Sequence, residues 1–122
     1  MPHLYDEIAR RWTAIWNETD RESRLKQATA IWADDASHYA PGFIGHGLDQ
    51  INDRVDAAHN RFVKQAGFNI RAIDVAGYGD VLRVLWEIGS PEGGPVVARG
   101  SEVIVLAEDG KILRDYQFND PQ

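Results

Sequence analysis

Apolar residues recur at helical spacing through the first half of the chain. Leu4, Ile8, Trp12, Ile15 and Trp16 fall three or four residues apart, and Pro2 is placed for a first turn, which predicts a helix over 2–18. "ETD" breaks that pattern. Asp20 is placed to cap a second helix carrying Leu25, Ala28, Ile31 and Trp32 and ending near Asp34 or Asp35. Ala40 precedes a proline and is pushed to extended geometry, so "ASHYAPGFIGHG" reads as a short strand over 37–40 followed by a glycine-rich loop. A third helix is predicted from Leu48 to Lys64, with Ile51, Val55, Ala58, His59 and Phe62 on one face.

From Phe68 onward the period changes to two. Strands are predicted over Phe68–Val75, Val81–Ile88, Val96–Ala107 and Lys111–Phe118, with "GYGD" as a turn and "GSPEGGP" as a loop. The second of these alternates, Leu82, Val84, Trp86 and Ile88 on one side, Arg83 and Glu87 on the other. Helices first and antiparallel strands afterwards define an α+β fold, one domain over 1–122 with three helices packed on one face of a mostly antiparallel sheet.

Asp109-Gly110 between apolar strands predicts a two-residue hairpin turn. That turn would set Leu106 opposite Leu113, Ile104 opposite Asp115 and Glu102 opposite Gln117. Glu102, Asp115 and Gln117 then share the helix-covered face, the two carboxylates roughly 7–8 Å apart. Most strand-end acids are simply solvated; these two become a site only if the helices leave a cavity over them. Val103, Val105, Tyr116 and Phe118 share the other face. An apolar patch left bare there implies a homodimer through the outer sheet face.

The composition narrows the function. A hydrophobic fraction of 43% with four tryptophans describes a folded globule. Net charge is −6 with no basic run, which argues against nucleic acid and anionic membrane as partners. There is no cysteine, so thiol chemistry and zinc-thiolate sites are excluded. His38, His46 and His59 lack paired ligand spacing, so no metal is expected, and "GSPEGG" lacks the lysine and helix of a phosphate cradle. "MPHLYDEIARRW" has no apolar core of a signal peptide, and the expectation is a cytoplasmic protein working without cofactor. His38, two residues from Ala40, should share its inward face and is a candidate acid or base, against the plainer role of a hydrogen-bonded strand-start histidine. Trp12, Trp16 and Trp86 are either ordinary core or the aromatic lining of a ligand pocket.

Taken in order, "IWADDASHYAPG", "GLDQI", "VLRVLWEIG" and "GGPVVARGSEVIVLAEDGKI" resemble a nuclear transport factor 2-like domain of the SnoaL-like type over nearly the whole chain. That resemblance implies a cone, a curved sheet wrapped over three helices with a pocket between, and often a dimer through the sheet. Ketosteroid isomerases place an aspartate base just before the proline of the strand that resembles "ADDASHYAP"; this chain has Ala40 there. Their oxyanion-binding aspartate matches Glu102, and their pocket tyrosine matches Trp12. Limonene epoxide hydrolases resemble the last strand at Asp115, but their Arg-x-Asp matches Arg83-Val84-Leu85, so the second aspartate is missing. That match would turn Arg83 inward, whereas the alternation turns it outward. SnoaL-like cyclases use a pocket carboxylate, for which Glu102 is the counterpart.

The expectation is therefore a small-molecule pocket protein: a cofactor-free isomerase, cyclase or hydrolase acting on an apolar or polycyclic ligand by acid/base chemistry. Glu102, Asp115 and His38 would be catalytic, and Trp12, Trp16, Trp86, Ala40 and Gln117 would line the pocket. The alternative is a non-catalytic ligand-binding or dimerisation module of the same fold.

Overall fold

The computed structural model describes residues 2–121. Helix α1 spans Pro2–Asn17, α2 Arg21–Ile31 and α3 Leu48–Ala58, which runs on into a π-helical segment, His59–Gln65. Six strands follow the order β2-β1-β6-β5-β4-β3 in one curved, open sheet: β1 Trp32–Ala40, β2 Phe43–His46, β3 Asn69–Tyr78, β4 Val81–Gly89, β5 Val96–Leu106 and β6 Ile112–Asn119. All neighbours are antiparallel except β1 and β6, which run parallel. The helices cover one face, and the core lies between the layers, built on Trp12, Ile15, Trp32, Ile51, Leu82 and Ile104.

Helix α1 is tied to the sheet at both ends. The Tyr5 hydroxyl donates to the Gly79 carbonyl (2.9 Å). At the other end the Asn17 amide donates to the Ile70 carbonyl (2.9 Å) and accepts from the Ile70 N–H (2.8 Å), a double clamp on the backbone of β3. These anchors fix the inward face that carries Trp12 and Trp16. Asp20 caps α2 as its position suggested, its carboxylate accepting from the Ser23 N–H (2.9 Å). Arg24, buried in α2, ties it to α3 through Asp56 at 2.7 Å.

Three expectations need correction. The second helix stops at Ile31, and Trp32 opens a nine-residue strand rather than the four residues of 37–40. Trp32 is buried on either assignment, so apolar spacing cannot separate them; pairing of β1 with β6 decides for strand. The glycine-rich loop contains the edge strand β2, entered through Gly42 at φ +76°. The third correction is the Asp109-Gly110 turn, which is longer than two residues. A two-residue type I′ turn needs positive φ at both positions, and only Gly110 has it, at +86°. The Ala107 carbonyl accepts from Gly110, and the Ala107 N–H donates to the Lys111 carbonyl, so the chain makes a three-residue loop. Leu106 consequently faces Ile112 rather than Leu113, and a bulge just beyond restores Ile104 opposite Asp115 and Glu102 opposite Gln117.

On β4, Leu82, Val84 and Trp86 are buried and Arg83 is exposed on the outer face, where it meets Asp74 at 3.5 Å. The alternation, not the epoxide-hydrolase match, describes this strand.

Candidate functional site

Three adjacent strands assemble a buried ionisable cluster. His38 of β1 is the direct register partner of Asp115 of β6, and Asp115 is paired with Ile104 of β5, two residues beyond Glu102. Inward parity on all three strands brings the side chains together, each 1% exposed or less. Asp115 is held from two sides. The Trp32 indole donates to Oδ2 at 2.9 Å, and the His38 Nδ1–H donates to Oδ1. That pairing assigns the imidazole proton to Nδ1. His38 Nδ1 also lies 3.7 Å from Glu102 Oε2.

Glu102 is treated differently. Neither of its oxygens receives a hydrogen bond from an N–H or a hydroxyl among the described residues. Burial raises its pKa well above the usual carboxylate range, and the Asp115 charge and a proton shared with Asp115 push it the same way. The Trp86 indole and the Arg54 charge pull it down and lose. The Trp86 N–H faces Glu102 but falls outside hydrogen-bond geometry, so it is best regarded as an unmade bond. Glu102 is thus a carboxyl that holds its proton more strongly than usual.

A cavity opens above it. A narrow inner chamber of about 60 Å³ is lined by Trp12, Trp16, Arg54, Trp86, Glu102 and Gln117 among others. It shares Arg54, Phe62, Trp86 and Gln117 with an outer vestibule of about 400 Å³, to which Arg61 and Arg99 are added. The indole N–H groups of Trp12, Trp16 and Trp86 are all buried without a partner among the described residues. Unmade buried donors of this kind are rare in proteins and each costs about 1–3 kcal/mol. Gly100 makes room for one wall: a Cβ there would lie 2.3 Å from Trp86 Cζ2 and 2.4 Å from the Phe118 carbonyl oxygen.

Of the residues singled out in the sequence, Glu102, Trp12, Trp16, Trp86 and Gln117 line the chamber. His38 and Asp115 lie beneath Glu102 and form no part of the chamber or vestibule wall. Ala40, expected to line the pocket, lines neither space; it sits at the β1–β2 edge opposite Phe43, and its neighbour Pro41 reaches the vestibule instead. Sequence reasoning missed Trp32, which positions Asp115, and Arg54, the cation beside Glu102. Arg54 had a readable signal, since it falls three residues after Ile51 and four before Ala58 on the apolar stripe of α3.

His38, Glu102 and Asp115 also form the one group of three potential metal ligands found among the described residues, their ligand atoms within 4.8 Å of one another. The sequence expectation rested on histidine spacing and could not see this cluster. Direct contact between His38 Nδ1 and Asp115 Oδ1 leaves no space for an ion between those two atoms.

Three helices packed on a six-stranded, curved, open and mostly antiparallel sheet make the nuclear transport factor 2-like fold. The chain belongs to the SnoaL-like domain family, whose model matches residues 9–115. It is similar to a candidate isomerase of the SnoaL-like family from Agrobacterium tumefaciens, at 29% identity and TM-score 0.88, covering 98% of this chain and 99% of the other. A SnoaL-like protein of unknown function from Burkholderia thailandensis is 15% identical with TM-score 0.76, over 99% and 98% of the two chains. A candidate polyketide cyclase from Sinorhizobium meliloti is 18% identical with TM-score 0.69, over 92% and 94%. These last two share the fold. Among curated proteins none matches. No helix among the described residues is long and apolar enough to cross a membrane.

Proposed function

We propose that the protein is a cofactor-free acid/base catalyst, an isomerase in its simplest form, acting on a small apolar substrate that carries a carbonyl or enolisable group. One observation carries this reading: Glu102, a carboxyl whose pKa is raised by burial, lines an apolar chamber, backed by a second carboxyl and accompanied in the wall by three tryptophans whose indole N–H groups have no partner among the described residues. When it is ionised, Glu102 is a base and takes a proton from substrate carbon. The electron pair released by the C–H bond moves to the carbonyl, whose oxygen gains negative charge and lies among the indole N–H groups. Glu102 then returns the proton to another carbon of the same system and ends as it began. This division of labour fits Ala40, which cannot be a base, because the proton carrier is moved to Glu102. It also fits Trp12, which keeps a donor where the related isomerases have a tyrosine. At about 60 Å³ the chamber is smaller than the roughly 150 Å³ cavity that holds a benzene ring, so a cyclic ligand would reach in by one end, its remainder in the vestibule of about 400 Å³.

The similarity to a candidate isomerase over the whole chain supports this choice over a hydrolase, which would need the aspartate replaced by Leu85. The test is turnover of monocyclic enones and enolisable ketones by parent and Glu102→Gln. The variant should lose roughly 10²–10⁴-fold, the usual worth of a positioned proton carrier. Equal turnover would end the proposal. A second reading, a binding or dimerisation module, is favoured by the small inner chamber and by Ala40; ligand binding with no turnover of any substrate would select it.

We also propose a homodimer through the outer sheet face and a cytoplasmic location. The dimer is supported by half-buried Val103, Val105 and Tyr116 beside Phe118, which is 57% exposed. Tyr39 stacks on Tyr116 with ring centroids 4.8 Å apart, which extends the apolar surface onto β1.

A further inference from the structure

The vestibule has a charge opposite to that of the molecule. The chain carries a net −6, yet the walls of chamber and vestibule hold Arg54, Arg61 and Arg99, and Glu102 is the one carboxyl among their lining residues. Arg99 is spoken for, with Glu87 at 3.6 Å. Arg54 and Arg61 make no ion pair and no side-chain hydrogen bond among the described residues. Arg54 Nε is buried without a partner. Each guanidinium lies over an aromatic ring, Arg54 over Phe43 at 5.6 Å and Arg61 over Phe62 at 5.2 Å. Stacking orients a guanidinium but leaves its N–H fork free to bind. Arg54 is half-buried and loses hydration there, which disfavours its charge. A desolvated, oriented, unpaired cation is a costly arrangement unless something pairs with it.

We infer that the ligand is an amphipathic anion, an apolar or aromatic group bearing a carboxylate at a distance, with its apolar end directed into the tryptophan chamber and the carboxylate held by Arg54 and Arg61 in the vestibule. This rests on the pocket reading above and narrows its substrate class. Arg54 lines both spaces, so an anion on it lies where chamber and vestibule meet. The anion is not placed against Glu102. That carboxyl lines the chamber, and the reacting end of the ligand is its apolar end. A guanidinium fork binds a carboxylate through two parallel hydrogen bonds, so two arginines supply both affinity and orientation. Orientation matters because proton transfer demands that one particular carbon be presented to Glu102.

The test uses two probes of one shape, 3-phenylpropanoate and its neutral counterpart 3-phenylpropanamide, with binding followed by calorimetry at neutral pH and low salt. The parent should bind the carboxylate about tenfold or more tightly than the amide, with the advantage shrinking as salt is added. Arg54→Gln should bring the carboxylate to the affinity of the amide, and Arg54→Lys should restore part of the difference. Arg61→Gln, at the vestibule rim, provides the same readout should the Arg54 variants fold poorly. Arg83→Gln, on the outer face, makes the same change in net charge and should alter neither affinity. Equal binding of the two probes to the parent, or a preference that survives both Arg54→Gln and Arg61→Gln, overturns the anion inference while leaving the pocket intact. Failure of both probes to bind at millimolar concentration overturns the pocket reading and this inference together.

Discussion

Glu102→Gln should make the protein less sensitive to rising pH. In the folded state Glu102 is buried beside Asp115 and keeps its proton well above the ordinary carboxylate range; in the unfolded chain it ionises normally. Below the ordinary value both states hold the proton and the residue has no linked effect. Above it the unfolded chain releases a proton that the folded chain retains. Stability therefore falls as pH rises, until the folded value is passed. The slope for one proton is about 1.4 kcal/mol per pH unit. For a chain of this length the unfolding entropy is about 0.26 kcal/mol/K, so each unit lowers Tm by about 5 °C. Glutamine has nearly the same size and no titration. The difference in Tm between Glu102→Gln and parent should thus grow in the variant's favour by about 5 °C per unit from near pH 5 upward. Subtracting the two profiles cancels the groups they share, although Asp115, His38 and Arg54 face Glu102 and respond to its loss. Thermal unfolding followed by tryptophan fluorescence in matched buffers from pH 5 to 8 measures it. Parallel profiles would mean that Glu102 ionises in the ordinary range, and its retained proton would have to be abandoned.

Other substitutions separate the remaining roles. Trp16→Ala should weaken ligand binding more than it slows turnover, because it opens the chamber wall without touching the proton carrier; a pure turnover loss would contradict that. Gly100→Ala should destabilise the fold by about 1–3 kcal/mol in denaturant titration, since its methyl collides with both the Trp86 ring and the Phe118 carbonyl. Trp32→Phe removes the indole donor to Asp115 and should cost about 1–3 kcal/mol at neutral pH, whereas unchanged stability would show that Asp115 does not depend on it. Val105→Lys should convert a dimer to monomer in sedimentation, and a parent that is already monomeric at micromolar concentration would refute the outer-face interface.

What was legible in the chain follows from which signals have one physical cause. Strand β4 was readable because Leu82, Val84, Trp86 and Arg83 obey a period of two that only a half-buried strand produces. Trp32 was not, because a buried tryptophan satisfies a helix end and a strand start equally. The Asp109-Gly110 loop shows a different limit. The dipeptide suits a two-residue turn and a three-residue loop, and the choice depends on φ at Asp109, which sequence does not carry. Parity at Glu102 and Asp115 nonetheless came out inward, because the longer loop and the bulge at β6 cancel. Arg54 was overlooked for the opposite reason: its spacing placed it on the inner stripe of α3, but a charge there conflicts with burial, and such conflicts concentrate at functional sites.

The cluster beneath the chamber has an asymmetry that a purely structural ion pair would lack. Burying carboxyls costs several kcal/mol unless each is paired and hydrogen-bonded, and well-packed apolar residues usually serve stability as well or better. Asp115 meets that condition, with Trp32 on one oxygen and His38 on the other. Glu102, two residues from the Ile104 that pairs with Asp115, receives neither donor and instead borders the open chamber. The fold thus gives one carboxyl two donors and leaves its neighbour, whose pKa burial raises, with none at the chamber wall. Three indole N–H groups around that same space are likewise unmatched. A core selected for packing alone would satisfy or remove all of these groups. All four residues line one chamber, and a ligand bearing an oxygen and a transferable proton would complete them there.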